Sequence, residues 1–269
     1  VVRRLTRRLE ALKQGVDRFG EGALDHRVEV VGHDEVAAVA ASFNQAAGRI
    51  EVLMRAHRSL LANASHELRS PLARLKMAVA MLGGAPSEQA ERLQSEIATN
   101  IAELDALVEE VLLASRLDAA TALDHDEPVD VLAVAAEAAA RAGVELAAHS
   151  GEPLPKVRGD ERLLRRAVRN LLENAFRYGG QPVVVDVALR AGRVELAVTD
   201  HGPGVPEALR ERIFEAFYRL PGHAEQAGGV GLGLSLVRQI AQRHGGSVRC
   251  EAVDGGGSRF VISLPPLLG

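Results

Sequence analysis

Residues 61–82 read LANASHELRSPLARLKMAVAML. Leu61, Leu68, Leu75 and Leu82 recur every seven residues, and Ala64, Pro71 and Ala78 form a second row at the same interval. Apolar residues at two positions of a heptad describe a helix whose seam packs against other helices. His66 lies off that seam, about 140° around the helix from Leu61 at roughly 100° per residue, so its ring is expected to face water. Ser70 follows four residues later, on the same face. Glu67 is adjacent, where a carboxylate can hold one imidazole nitrogen and raise the nucleophilicity of the other. Pro71 has no N–H, so the Glu67 carbonyl loses its helical partner and a kink is expected. A lone surface histidine is ordinarily just that. A carboxylate, a hydroxyl and a helix breaker beside it point to a nucleophile that meets a partner from outside.

Working outward, the first fifty or so residues carry two amphipathic helices. Leu5, Leu9, Leu12, Val16 and Phe19 mark the first, and Gly20-Glu21-Gly22 stops it. An extended connector with Leu24, Val28 and Val30 leads to Asp34, an N-cap for a second helix with Val36, Val39, Phe43, Ala46, Ile50 and Leu53 on its seam. Such helices need partners, most simply from a second copy. The second is expected to run on into the His66 helix, through Ile50, Leu53, His57, Leu61, Ala64 and Leu68; its two successive steps of four are a stutter, a place where rotation from upstream is absorbed or passed on.

Beyond Leu82, residues 83–87 (GGAPS) reverse the chain into a helix with Leu93, Ile97, Ile101, Leu104, Val108, Val111 and Ser115 on its seam. One helical hairpin buries one stripe per helix, and two make a four-helix bundle, so a homodimer is expected. Residues 121–128 (TALDHDEP) read as a linker. The pattern then changes: a helix over 131–141, a strand over 144–148, a helix capped by Asp160 to about Tyr178, and a hairpin of strands 182–189 and 193–199. Helices near 206–217 and 231–244 follow, with strands at 247–253 and 258–264. Strands joined as hairpins and mixed with helices argue for an α+β layer.

Composition narrows the function. Hydrophobic content is 47% but aromatic content only 3%, which suits helical packing more than an all-β sandwich. A net charge of −4 gives no general electrostatic reason to bind nucleic acid. The single cysteine, Cys250, excludes an internal disulfide. No run of 18 apolar residues exists, so no membrane span is expected. The chain opens VVRRLTRR without a start methionine, and is expected to be the soluble part of something longer, lying just inside a membrane.

Four clusters in the last domain are chemical rather than structural. Asn170 and Asn174 share a helix face, where an amide oxygen can ligate Mg2+, and Arg177 nearby can neutralise phosphate. Asp200-His201-Gly202-Pro203-Gly204 follows an apolar strand, offering a carboxylate to an exocyclic amine and glycines that let backbone approach a flat base. Phe214-Glu215-Ala216-Phe217-Tyr218-Arg219 uses three of the eight aromatic residues in the chain. Gly228-Gly229-Val230-Gly231-Leu232-Gly233-Leu234 opens a helix whose free N–H groups can meet phosphate oxygens. Residues 219–229 between the last two carry no packing pattern and read as a mobile lid.

In this order the motifs resemble those of the sensor histidine kinases. HELRSPL is similar to the phosphoacceptor box of that family. NLLENAFRY, DHGPG, FEAFYR and GVGLGL are similar to the ATP-binding domain that it shares with gyrase-type topoisomerases. Residues 1–55 resemble a HAMP linker, with Asp34-Glu35 at the acidic pair of its second helix and Arg7-Arg8 where a proline is usual. The resemblance implies an all-α, dimeric HAMP domain (1–55), a dimerisation and histidine-phosphotransfer hairpin (56–122) and a catalytic ATP-binding α+β two-layer sandwich (123–269). It implies His66 as acceptor with Glu67 assisting, and Ser70 in place of the more common threonine in dephosphorylating a response regulator. It also implies Asn174 as the Mg2+ ligand and Asp200 as the reader of adenine. Asn170, Arg177, Tyr178, Gly202, Gly204, Arg219, Gly229, Gly231, Leu232 and Gly233 would complete the nucleotide site. Related ATPases place a glutamate base where Asn170 stands, so transfer to an in-chain nucleophile is expected over hydrolysis. Two alternatives keep the fold: a nucleotide-sensing scaffold, marked by ATP binding without labelled protein, and a plain ATPase, marked by phosphate release that survives His66→Ala.

Overall fold

The computed structural model describes residues 2–83, 86–119, 126–147, 154–220 and 231–267. The chain divides into two compact units, Val1–Ala62 and Asn63–Gly269. In the first, helix α1 spans Val2–Gly20 and ends as expected, with Gly22 at a φ of 103°. Helix α2 begins at Glu35, and Asp34 caps it by accepting the Ala37 N–H at 3.1 Å. Arg8 also grips Asp34, at 2.7 Å to Oδ1, which holds that carboxyl well below the usual range. Asn44 fixes the connector by a reciprocal pair: its Oδ1 accepts the Val28 N–H at 2.9 Å and its Nδ2 donates to the Val28 carbonyl at 2.7 Å. Phe19 and Phe43 pack edge to face with ring centroids 5.6 Å apart.

Helix α2 runs unbroken over Glu35–Leu82, continuing through Pro71. Helix α3, Ser87–Ala119, returns beside it. Residues 84 and 85 of the expected turn lie outside the described residues. Within one hairpin the expected seam is only partly covered. The fully buried row on α2 is Ala64, Pro71 and Ala78, while Leu61 is 50% exposed and Leu68, Leu75 and Leu82 are half-buried. On α3 the buried row is Leu93, Asn100, Leu107 and Ala114, whereas Ile101 and Val108 are exposed. A single hairpin buries one row on each helix and leaves the neighbouring row partly open.

The remaining elements are β1 (Glu127–Val129), α4 (Val131–Ala142), β2 (Glu145–Leu146), β3 (Val157–Gly159) and α5 (Glu161–Tyr178). The hairpin β4 (Val184–Arg190) and β5 (Arg193–Asp200) follows, then α6 (Gly233–Arg243), β6 (Ser247–Ala252) and β7 (Ser258–Leu264). The main sheet is mixed, in the order β2-β4-β5-β7-β6, parallel only between β2 and β4. Helices α4, α5 and α6 pack on it, and Leu171, Leu236, Ile240, Val198 and Phe260 are fully or almost fully buried in the core. The opposite sheet face carries a ladder of charge: Arg259 reaches Asp186 at 2.8 Å and Glu251 at 3.7 Å, and Arg249 reaches Glu251 at 2.6 Å and Glu195 at 2.9 Å. Alternating signs along neighbouring strands let one face stay polar, hence two layers.

Three expectations shift. The end of the supposed linker is strand β1, paired antiparallel with β3; residues 121–125 lie outside the described residues. The strand at 144–148 shortens to β2, with residue 148 also outside them. The helix near 206–217 is instead two 3-10 turns, Glu207–Leu209 and Arg212–Phe214, because Phe217 adopts a φ of 64° and Glu215 is extended. His244, at 4% exposure, ties the domain together. Its Nε2 accepts the Asp160 N–H at 3.0 Å, and Nδ1 donates to the Ile240 carbonyl at 2.7 Å, the tautomer that a carbonyl acceptor demands.

Candidate active site

In the unit Asn63–Gly269, a cavity of about 500 Å³ is lined from two sides. From α2 come Glu67, Ser70, Pro71 and Arg74, and from α3 come Glu103, Leu107 and Glu110. The other wall holds Asn170, Asn174, Arg177 and Tyr178 of α5, with Asp200, Gly204, Tyr218, Arg219, Gly231 and Gly233. His66 is exposed and is not part of the lining; its neighbours Glu67 and Ser70 are.

Asp160 fixes where α5 starts, accepting the Arg162 and Leu163 N–H groups at 2.8 and 3.3 Å. Counting from there, Asn170 falls inward and is buried, and its Nδ2 donates to the Gly233 carbonyl at 3.1 Å. This bond pins the glycine segment that opens α6 against α5. Asn174, one turn later, is half-buried and lines the cavity with its amide. Leu232 is fully buried, and its carbonyl accepts from Ser235 Oγ at 2.8 Å; its side chain belongs to the core and does not line the cavity. No side chain caps α6.

Asp200 is buried, and its Oδ1 accepts the Gly202 N–H at 2.9 Å. Glycines surround it because nothing larger fits. A Cβ on Gly179 would lie 2.6 Å from the Asp200 carboxyl carbon, one on Gly202 would lie 2.7 Å from Gly179 Cα, and one on Gly257 would lie 2.0 Å from the Asp200 carbonyl oxygen. Gly204 and Gly231 both hold a φ of 75°. Gly231 accepts the Phe217 N–H at 2.9 Å, and Arg212 stacks 4.6 Å over the Tyr218 ring. Of the expected lid, residues 219–229, those from 221 onward, Gly229 among them, lie outside the described residues.

Charge links the two walls. Arg166 of α5 stands 3.7 Å from Glu110 and 4.0 Å from Glu109, and Arg243 of α6 donates to the Leu117 carbonyl in the last turn of α3. Burial pushes the Glu110 carboxyl above its usual range, with Arg166 pulling the other way. Among the described residues no cluster of three or more His, Cys, Asp or Glu could hold a metal, and no helix is long and apolar enough to cross a membrane.

The model of the histidine kinase-, DNA gyrase B- and HSP90-like ATPases matches residues 159–268. That of the phospho-acceptor His Kinase A domain matches residues 56–120, and that of the HAMP domain residues 1–52. The chain belongs to the sensor histidine kinases. Sensor protein RstB of Escherichia coli (strain K12) is 34% identical over 266 residues, 94% of this chain and 59% of its own length. Sensor-like histidine kinase SenX3 of Mycolicibacterium smegmatis is 35% identical over 219 residues, 77% of this chain and 57% of its own. This histidine kinase chain therefore spans between half and two thirds of the curated relatives it matches. A crystal structure of full-length ShkA in complex with AMPPNP shares 30% identity at a TM-score of 0.55, over 79% of this chain and 46% of that one.

Sequence reasoning missed several residues that line or support the cavity in this histidine kinase chain. Arg74, Asn100 and Glu103 form a network around Ser70, and Glu110 faces α5. Asn100, a polar residue amid an apolar heptad row, was the signal for the first of these. Gly179-Gly180 directly after α5 was the signal for the Asp200 cradle.

Proposed function

We propose that this chain is an ATP-dependent protein-histidine autokinase that phosphorylates His66 and passes the phosphoryl group to an aspartate of a response regulator. The observation that carries the reading is the single cavity on which Glu67 and Ser70, beside an exposed His66, converge with Asn170, Asn174, Asp200 and the α6 glycines.

Asp200, whose Oδ1 accepts the Gly202 N–H, offers its second oxygen to the exocyclic amine of adenine, and the tight glycine backbone lets the flat base lie close. Arg177, Arg219 and the uncapped N–H groups at the start of α6 neutralise phosphate charge. Asn174 would hold Mg2+ through its amide oxygen, and the bound ion would offset charge on the phosphates. Asn170 is spent on the Gly233 carbonyl and, being an amide, cannot activate water as a base. That favours transfer over hydrolysis. Neutral His66 attacks the γ-phosphorus in line as the bond to the ADP oxygen breaks, and Glu67 takes the imidazole proton. Most of the rate comes from positioning and charge neutralisation.

The half-buried leucine row of α2 and the exposed Ile101, Val108 and Leu112 of α3 support a homodimer in which two hairpins form a four-helix bundle. Ser70 keeps the hydroxyl with which such kinases dephosphorylate their regulators. The placement on the inner side of a membrane would come from segments outside this chain. Incubation with γ-labelled ATP tests the reading: the wild-type chain incorporates label and His66→Ala does not. Label persisting in His66→Ala at the wild-type rate overturns the assignment.

A further inference from the structure

Asn100 is the odd member of its row, since Leu93, Leu107 and Ala114 are apolar and Asn100 is only 6% exposed. A buried amide in a helical seam costs stability unless its hydrogen bonds are made. Here they are. Nδ2 donates to the Glu96 carbonyl at 2.7 Å, and Oδ1 accepts from Arg74 Nε at 2.8 Å. Arg74 Nη2 reaches Glu103 Oε2 at 2.5 Å, and Nη1 donates to Ser70 Oγ at 3.1 Å. The guanidinium is held in its plane by two acceptors on α3, and its remaining contact is the Ser70 hydroxyl. Ser70, Arg74 and Glu103 all line the cavity.

We propose that Arg74 is a positioning residue for Ser70, anchored by Asn100 and Glu103 so that the hydroxyl stays in one rotamer toward the cavity. The inference rests on the reading of Ser70 in regulator dephosphorylation. Serine lacks the β-methyl of threonine, which restricts χ1, so by itself it samples more staggered wells. An arginine can only donate, so Arg74 occupies one lone pair of Oγ and leaves the hydroxyl proton and the other lone pair to orient a water. That water attacks the phosphorus of the aspartyl phosphate, and the bond to the carboxylate oxygen breaks. Inorganic phosphate leaves with the water's oxygen, the aspartate returns as its carboxylate, and Ser70 is unchanged. The arrangement accounts for a buried asparagine, an interhelical arginine and a serine at one stroke.

The test uses the full chain and, as probe, a receiver domain chosen because it takes label from the wild-type phosphoprotein and then phosphorylated by acetyl phosphate. The half-life of its aspartyl phosphate is measured with wild type, Ser70→Ala, Arg74→Gln, and Arg74→Gln combined with Ser70→Thr. Both single variants slow dephosphorylation roughly tenfold or more, the loss of one charge-assisted contact. Threonine in the double variant restores most of the rate, because its own branching supplies the restraint. A Ser70→Ala chain as fast as wild type overturns the reading of Ser70 and the Arg74 role with it. Slow Ser70→Ala with fast Arg74→Gln overturns the Arg74 role alone. A slow Arg74→Gln that threonine does not rescue shows an arginine that merely joins the helices, and overturns the proposal.

Discussion

Gly179→Ala tests whether close packing sets the position of Asp200. Gly179 has φ −88° and ψ −174°, a conformation open to any residue, so the substitution acts through contact alone. Its new Cβ would lie 2.5 Å from the Ala175 carbonyl oxygen and 2.6 Å from both Cβ and Cγ of Asp200. Ordinary carbon contacts are near 3.5–4.0 Å, so something must yield by about 1 Å. The Ala175 carbonyl is tied into the end of α5, where it accepts the Gly179 N–H at 2.9 Å. The carboxylate is the freer neighbour. Overpacking of this kind costs about 1–3 kcal/mol. If that strain falls on the adenine pocket, nucleotide affinity drops roughly 5- to 140-fold. Displacement of a fluorescent adenine nucleotide by ATP measures the Kd, and a thermal melt without nucleotide shows how much strain the fold itself takes. A Kd within about twofold of wild type together with an unchanged Tm would refute the argument.

Other outcomes follow from single contacts. Asp34 is held below its ordinary range chiefly by Arg8, so the latch between α1 and α2 is complete above the usual carboxylate range and is lost as pH falls through the lowered value. The protection factor of the Ala37 amide, its exchange relative to the intrinsic rate at the same pH, should fall on acidification, and Arg8→Ala should move that fall to higher pH. Asn44→Ala leaves the Val28 N–H and carbonyl without their partner and should cost about 1–3 kcal/mol, read as faster exchange at Val28. Gly159→Ala places a Cβ 2.0 Å from His244 Cδ2 and should lower the Tm by several degrees, for about 1–3 kcal/mol of overpacking. Burial pushes the Cys250 thiol up to about 11, so a thiol reagent at neutral pH should label it only after unfolding.

Local rules made much of this chain readable. Asp34, Asp160, Gly22 and the heptads of α2 and α3 act within a few residues of themselves, and their helices stand where spacing puts them. The errors come from contacts distant in sequence. Nothing near residues 101 and 108 says that a single hairpin buries Asn100 and Leu107 in preference to Ile101 and Val108. The turns at 206–217 depend on Phe217 donating its N–H to Gly231, and β1 exists only because β3 pairs with it. At the cavity, Asn174 and Asp200 were legible as residues that share one face, from their spacing and their place at a strand end. The supports were not: Arg74 looks like any surface arginine until Asn100 and Glu103 meet it from α3.

The central claim is that His66 carries the phosphoryl group. Peptide mapping of the wild-type chain after incubation with γ-labelled ATP addresses it most directly, with digestion at alkaline pH to preserve a phosphoramidate. The label should be stable to base, labile to acid and confined to the peptide containing His66. Acid-stable label, or label on a peptide without that residue, would contradict the account.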